Sequence, residues 1–160
     1  MKPDIPKPKV YVETSVLSYL AARPSRDSIT LARQLITRRW WDTERGKYVL
    51  VVSEAVEAEC RRGDPETIKR RRKLLEEVSL FPLHEKMVEV ARLLVVPGAI
   101  PEKAQVDAMH IAAAAVEECE FLLTWNFRHI ANVRIRREVE RILANHGYNK
   151  TIICTPEELI

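Results

Sequence analysis

The stretch DAMHIAAAA, residues 107–115, places an aspartate and a histidine inside a segment that otherwise has the composition of a protein core. Around Asp107 and His110 every side of the predicted helix is apolar, and a helix of this kind is normally buried. A buried carboxylate raises the free energy of the folded state unless another group pairs with it. Asp107 therefore predicts a partner elsewhere in the chain.

Short strands alternate with helices on both sides of this stretch. β-branched and aromatic segments predict strands at residues 9–12, 48–52, 121–124 and 151–155, and a brief extended segment at 79–81. The spacing of apolar residues predicts helices at about 14–21, 27–44, 65–78, 84–95, 102–119 and 133–145, with a further helix behind Ser53. This alternation favours a parallel sheet covered on both faces. We therefore predict one α/β domain over residues 1–160, a three-layer α/β/α sandwich with a central, mainly parallel sheet, in which residues 1–8 form a loosely ordered tail.

The composition excludes several classes of protein. No apolar run reaches the roughly 20 residues that a bilayer span needs, and the N-terminal MKPDIPKPK has no apolar signal segment. We therefore expect a cytoplasmic location and no membrane association. The cysteines lack CxxC spacing, which argues against a zinc knuckle and against a disulfide framework. The glycine-rich loops that cradle phosphates in nucleotide-binding folds are also missing.

Acidic and polar residues follow the strands at the predicted carboxyl edge of the sheet. Glu13 comes directly after the strand at 9–12, and Asn126 lies two residues beyond the strand at 121–124. The helix behind the strand at 48–52 starts at the same edge and carries Glu54, Glu57 and Glu59. Because ligands of open parallel sheets bind outside this edge, these residues are candidates for a functional site.

Glu59 differs from the other two acids of its helix. Glu57 has Arg61 four residues on, the spacing of a surface ion pair. Glu54 lies in the first turn, where a carboxylate interacts favourably with the helix dipole. Glu59 shares a face with the apolar residues three and four positions before it, so we predict that it points inward. An ion pair between Glu59 and Arg62 is an equally good interpretation.

Glu13, Glu59 and Asp107 are predicted to share one pocket. Like-charged carboxylates in one pocket repel each other, and a divalent cation removes the conflict. Carboxylate oxygens suit Mg²⁺ or Mn²⁺ better than Zn²⁺, so the sequence raises the hypothesis of metal-assisted hydrolysis. Three simpler interpretations stay open. In these interpretations Glu13 is only an acidic residue at the start of a helix, Asp107 is half of a buried ion pair, and His110 is a core histidine rather than a ligand.

Basic residues give a weaker signal. The net charge of +3 is too small to indicate nucleic-acid binding by itself. The run KRRRK at 69–73 winds around more than one full turn of its helix, so we expect a solvated surface rather than a binding stripe. The candidate contacts to RNA phosphate are instead Arg23, Arg26, Arg61 and Arg62.

Five segments of the chain resemble the PIN-domain ribonucleases, and within that family the VapC-like toxins of prokaryotic toxin–antitoxin pairs. They are YVETSVLSYL (11–20), VSEAVEAECRRGDP (52–65), KAQVDAMHIAAAA (103–115), LLTWNF (122–127) and TPEEL (155–159). They occur in the order found in the family and span nearly the whole chain. The resemblance implies a PIN-like fold and an endoribonuclease, a hydrolase that depends on Mg²⁺ or Mn²⁺.

The resemblance also implies roles for individual residues. The family's catalytic positions fall, in chain order, on Glu13, Glu59, Asp107 and Asn126. The first three would hold the metal, and the hydroxyl of Thr14 or Ser15 would orient water or a ligand carboxylate. Two positions depart from the family pattern, which usually has Asp where this chain has Glu13 and often has Asp where it has the neutral Asn126.

Partners are implied by the resemblance alone. Proteins of this family act on RNA, commonly form homodimers, and are held inactive by a small antitoxin protein. Two other functions stay open. One is a non-catalytic RNA-binding or regulatory PIN-like module with a degenerate metal site, and the other is a structural regulator that acts through dimer and partner contacts.

Overall fold

The structure is a computed structural model that describes residues 5–160, which form five β-strands and seven α-helices. The strands are β1 (Lys9–Val12), β2 (Val49–Ser53), β3 (Ser79–Phe81), β4 (Phe121–Leu123) and β5 (Ile152–Cys154). The helices are α1 (Thr14–Ala21), α2 (Ser28–Thr43), α3 (Glu54–Cys60), α4 (Pro65–Leu75), α5 (Glu85–Val95), α6 (Gln105–Val116) and α7 (Val133–Asn145). Single 3₁₀ turns lie at Arg45–Lys47, Glu102–Ala104 and Pro156–Leu159.

The five strands make one sheet in the order β3-β2-β1-β4-β5, and every neighbouring pair is parallel. The predicted three-layer α/β/α fold with a central parallel sheet is therefore confirmed. The segment at 79–81, predicted only as extended, is the edge strand β3. β1 lies in the centre, and its residues Val10, Tyr11 and Val12 are fully buried.

The order of the strands creates a crevice between β1 and β4. From β1 the chain builds β2 and β3 on one side of the sheet, and then crosses over to place β4 and β5 on the other side. The backbone N–H of Glu13, directly after β1, donates to the carbonyl oxygen of Leu123 at the end of β4, at 3.0 Å. In open α/β sheets such a switch point is where ligands bind, which places Glu13 at the expected position for a site.

Helix α6 is buried along most of its length but not on every side as its sequence predicts, since Val106 is 50% exposed and Asp107 and Met109 are only partly buried. Residues Ala108 and Ile111 to Ala115 are at most 5% exposed, and α6 packs along α5. The helix is shorter than the predicted 102–119 because the chain enters it through the 3₁₀ turn at Glu102–Ala104. It ends before Glu118, which has a φ of +54° and so cannot continue a right-handed helix.

The predicted tail falls partly outside the described residues, which begin at residue 5. Residues 5–8 belong to no strand or helix, yet the carbonyl oxygen of Pro8 accepts a hydrogen bond from the N–H of Val49 at 2.9 Å. This bond continues the pairing of β1 with β2 by one residue. None of the helices in the described part of the chain combines the length and apolar character that a bilayer span requires.

Candidate metal centre

Glu13 joins the end of β1 to the start of α1. It is the N-cap residue of α1, and its Oε2 accepts a hydrogen bond from the backbone N–H of Ser15 at 3.1 Å. The hydroxyl groups of Ser15 and Thr124 also donate to Oε2, the latter at 2.7 Å. Glu13 is only 4% exposed, so the fold compensates the burial of this carboxylate with three donors on one oxygen. Its other oxygen, Oε1, takes part in none of these bonds.

Glu59 approaches the same place from α3. Its Oε1 accepts a hydrogen bond from the Thr14 hydroxyl at 2.8 Å and lies 2.5 Å from Nε2 of His110. Burial raises the pKa of this carboxyl, but the hydrogen bond and charge of His110, with the Thr14 bond, hold the pKa of Glu59 below its usual value. Within residues 5–160 the ion-pair contact of Glu59 is with His110 rather than with Arg62.

His110 is fully buried one turn after Asp107 on α6. Its Nδ1 lies 2.7 Å from the hydroxyl of Tyr11, which in turn lies 2.7 Å from the hydroxyl of Ser53. Burial lowers the pKa of His110, but the bond to Glu59 and the charges of nearby carboxylates outweigh it and raise the pKa above its usual value. The imidazole is thus held at both nitrogens by groups from two other elements, β1 and α3.

Asp107 is only partly buried, and its partners lie in the loop after β4. Its Oδ1 accepts a hydrogen bond from Nδ2 of Asn126 at 3.0 Å, and its Oδ2 lies 2.8 Å from Nδ1 of His129. The backbone N–H of His129 donates to Oδ1 of Asn126 at 3.0 Å, so the three side chains form one connected group. This contact matches the simpler interpretation of Asp107 as half of an ion pair, with His129 as the other half.

Three side chains bring their ligand atoms together closely enough for one ion. In the part of the chain that the structure describes, one oxygen of Glu13, one oxygen of Glu59 and one ring nitrogen of His110 all lie within 4.8 Å of one another. Two carboxylates and an imidazole are a donor set that fits a divalent cation. Asp107 does not belong to this group of three, and its carboxylate instead faces Asn126 and His129.

The two hydroxyl residues next to Glu13 each serve a different acid. Thr14 donates to Glu59, while Ser15 donates to Glu13 and also accepts a hydrogen bond from the backbone N–H of Trp125 at 2.8 Å. Both residues lie in the first turn of α1, which Glu13 itself caps. The start of α1 therefore fixes the relative position of the two carboxylates.

The four arginines predicted to contact RNA lie in two places. Arg23 and Arg26 are exposed in the connection between α1 and α2, one helix length from Thr14. Arg61 and Arg62 are exposed at the end of α3, where Arg61 makes an ion pair with Glu57 at 2.7 Å.

Sequence reasoning missed several residues that shape this site. His129 gave no signal because it is a lone histidine in a predicted loop. Thr124 was placed inside a strand, although its hydroxyl reaches Glu13. Arg33 of α2 was not selected either, yet its guanidinium lies 4.8 Å from the ring centroid of Phe127, the residue after Asn126.

The family of this chain is shown by comparison with known proteins. A family model of the PIN domain matches residues 10–135, which include every acid described above. The chain belongs to the PIN-domain family. No curated protein sequence matches this PIN domain at a significant level.

Two solved structures resemble this PIN domain. The first is VapC20 of Mycobacterium tuberculosis, described as a toxin that cleaves the sarcin-ricin loop. It is 18% identical with a TM-score of 0.58, and the match covers 74% of this chain and 91% of VapC20. The second is VapBC2 from Rickettsia felis, solved bound to a DNA fragment from its promoter. It is 13% identical with a TM-score of 0.56, and the match covers 92% of this chain and 98% of that one. At these identities the likeness is one of fold.

Proposed function

We propose that this PIN domain is a metal-dependent endoribonuclease that hydrolyses RNA phosphodiester bonds. The observation that carries the proposal is the meeting of Glu13, Glu59 and His110 within 4.8 Å. They meet at the switch point of a parallel sheet in a member of the PIN-domain family. Clustered carboxylates at the place where α/β folds bind ligands are the feature that this reaction requires.

The acids have the following proposed roles. Glu13 and Glu59 hold Mg²⁺ or Mn²⁺ directly, and Asp107 completes the site directly or through a water molecule. A bound cation of this kind activates water and neutralises the charge of a phosphodiester. The support for Asp107 is its position one turn before His110 on α6, since His110 is itself part of the group of three.

The neighbouring polar residues position these acids. Thr14 and Ser15 donate to Glu59 and Glu13, and so orient the carboxylates before a cation binds. Asn126 acts on Asp107, because its amide donates to Oδ1 of that residue. We assign Asn126 this orienting role in catalysis, since a neutral amide contributes no charge of its own.

RNA is proposed to reach the site over basic and aromatic side chains. Arg23, Arg26 and Arg62 are exposed and carry the proposed phosphate contacts. Arg61 takes part only by exchanging its ion pair with Glu57 for one with phosphate. Arg33 is a further candidate, because its guanidinium stacks on Phe127 beside Asn126, where a single-stranded base can also stack.

We also propose that the protein is the toxin of a toxin–antitoxin pair in the cytoplasm. The support is the likeness of fold to VapC20, described as a toxin, and to VapBC2. A small antitoxin would then bind the domain and hold it inactive, and the domain would act as a homodimer. Copurification of the chain with a small protein encoded beside it tests this part of the proposal.

The enzymatic proposal is tested with purified protein and a structured RNA. We expect cleavage with Mg²⁺ or Mn²⁺, no cleavage with a chelator, and no cleavage by Asp107→Asn. The competing function is a non-catalytic RNA-binding module. It is favoured by the engagement of both Asp107 oxygens with Asn126 and His129. Salt-sensitive RNA binding without cleavage under any of these conditions would select it.

A further inference from the structure

We infer that His110 supplies a nitrogen ligand to the metal centre, and that the centre therefore favours Mn²⁺ over Mg²⁺. The inference rests on the proposed function only in that the site binds a divalent cation. It differs from the all-oxygen site that the sequence predicts, in which His110 is a core residue. The imidazole joins Glu13 and Glu59 as the third ligand, while Asp107 lies outside this group.

The first support is the direction of the ring. Nε2 of His110 points to Oε1 of Glu59, at 2.5 Å, rather than into the apolar core around it. Ligands bound at about 2.1 Å to one octahedral ion lie roughly 3 to 4 Å apart, and the three ligand atoms here lie within 4.8 Å of one another. An ion can therefore replace the contact between His110 and Glu59 after a shift of about an ångström in either side chain.

The second support is the partner of the other ring nitrogen. A histidine that binds a metal usually makes a hydrogen bond with its remaining nitrogen, which fixes the ring and its tautomer. Nδ1 of His110 lies 2.7 Å from the Tyr11 hydroxyl, which lies 2.7 Å from that of Ser53. The Tyr11 hydroxyl can accept a hydrogen bond from Nδ1–H and donate its own hydrogen to the hydroxyl of Ser53. Nε2 faces Glu59, and the proton that it shares with Oε1 in the metal-free site would leave when a cation binds.

The third support is the way two elements present their side chains. Tyr11 and Glu13 are two residues apart along β1 and its continuation, so they project from the same face. Asp107 and His110 are three residues apart on α6 and likewise share a face. β1 thus places Glu13, a proposed ligand, and Tyr11, the hydrogen-bond partner of His110, beside α6.

The choice of metal follows from the donor set. Mg²⁺ binds oxygen ligands and keeps several waters, whereas imidazole suits first-row transition metals. If His110 instead only holds Glu59 in place, its removal should weaken Mg²⁺ and Mn²⁺ equally. The ratio of the two affinities therefore separates a ligand from a positioning residue.

The direct test is pulsed electron paramagnetic resonance of the full chain loaded with Mn²⁺. Two wild-type samples are compared, one unlabelled and one carrying [¹⁵N]histidine. We expect a ¹⁴N modulation that is replaced by a ¹⁵N modulation in the labelled protein. His129→Gln and the matched control His146→Gln, on the exposed end of α7, should both keep the signal. His110→Gln should lose it.

Calorimetric titration of the same variants gives the second readout. His110→Gln should weaken Mn²⁺ binding by at least about tenfold more than it weakens Mg²⁺ binding. A Mn²⁺ complex without histidine coupling in the wild type would overturn the inference but leave the proposed metal site intact. Loss of the coupling in His129→Gln would do the same. Absence of Mn²⁺ binding in the wild type would overturn the inference, and absence of both Mn²⁺ and Mg²⁺ binding would overturn the proposed metal site as well. The wild-type comparison stands even if His110→Gln fails to fold.

Discussion

Nδ1 of His129 lies 2.8 Å from Oδ2 of Asp107 and joins the loop after β4 to the first turn of α6. The second oxygen of Asp107 accepts a hydrogen bond from Asn126 in the same loop. The carboxylate is therefore part of the contact that holds this loop to the helix, as well as a proposed member of the catalytic site.

Asp107→Asn should consequently lower the stability of the metal-free protein while abolishing RNA cleavage. The amide offers only one acceptor oxygen where the carboxylate offers two, so one contact to the loop is lost. We expect a decrease of about 1–2 kcal/mol in the free energy of unfolding. Urea denaturation in the presence of a chelator measures it. An increase in stability would show that repulsion between Asp107 and the other acids outweighs the contacts to the loop.

The contact between Glu59 and His110 should make the stability of the metal-free protein depend on pH. The pKa of His110 is raised above 6.5, so its contribution is complete below that pH and is lost as the pH rises through the raised pKa. The pKa of Glu59 is lowered below 4.5, so its contribution is complete above that pH and is lost as the pH falls through the lowered pKa. The pair therefore stabilises the fold most between pH 4.5 and 6.5.

The measurement is the melting temperature of the chelated wild type and of His110→Gln across pH 4 to 9, a range of about two units either side of the usual histidine pKa. The difference between the two proteins should shrink above pH 6.5. His146→Gln, a histidine outside the site, is the control and should track the wild type. A constant difference across the range would contradict the prediction.

Asn126→Asp should increase the affinity of the site for the metal and lower the stability of the metal-free protein. The new carboxylate would lie beside Asp107, where the amide now donates to Oδ1 at 3.0 Å, so the hydrogen bond is replaced by repulsion. The metal-free variant should lose stability, and Mn²⁺ should bind roughly tenfold more tightly, a gain of about 1.4 kcal/mol. Calorimetric titration and the rise in melting temperature on adding Mn²⁺ give two independent readings. Unchanged or weaker binding would show that Asn126 is remote from the ion.

Removal of Arg23 and Arg26 should weaken RNA binding equally for all sequences. Phosphate contacts carry no sequence information, and each lost contact to a single strand lowers the salt slope of log K by about 0.7. Filter binding with Arg23→Ala/Arg26→Ala over a range of salt concentrations measures both effects. Lys69→Ala/Arg70→Ala, in the run that winds around α4, is the matched control and should change affinity little. The reverse result would indicate that RNA binds along α4 instead.

Local patterns predicted most of the fold. Helix α7 has the predicted bounds, Val133–Asn145, because its apolar stripe and the capping residue Asn132 are both local signals. The predicted position of Glu13 at the end of β1 followed from the rule that ligands gather at the carboxyl edge. These features depend on residues that are close in sequence, and a single chain contains that information.

The contacts inside the site were harder to predict. Tyr11 meets His110 across 99 positions of the chain, and Asp107 meets His129 through a loop whose path depends on β4. Periodicity indicates that a side chain points inward, but does not say which side chain from another element it will meet. A histidine on an apolar helix looks the same in sequence whether or not a carboxylate faces it, so the contact of His110 with Glu59 was not predicted.

The alanine run of α6 makes the site sensitive to changes at residues that are not part of it. Residues Ala112, Ala113 and Ala114 are completely buried, and each side chain is a single methyl group in a closely packed interior. A larger side chain there would displace α6, and Asp107 and His110 would be displaced with it because they belong to the same helix. A random-mutagenesis screen for inactive variants should therefore return replacements of these alanines, which lie five to seven residues from Asp107, with the protein still folded and its acids intact.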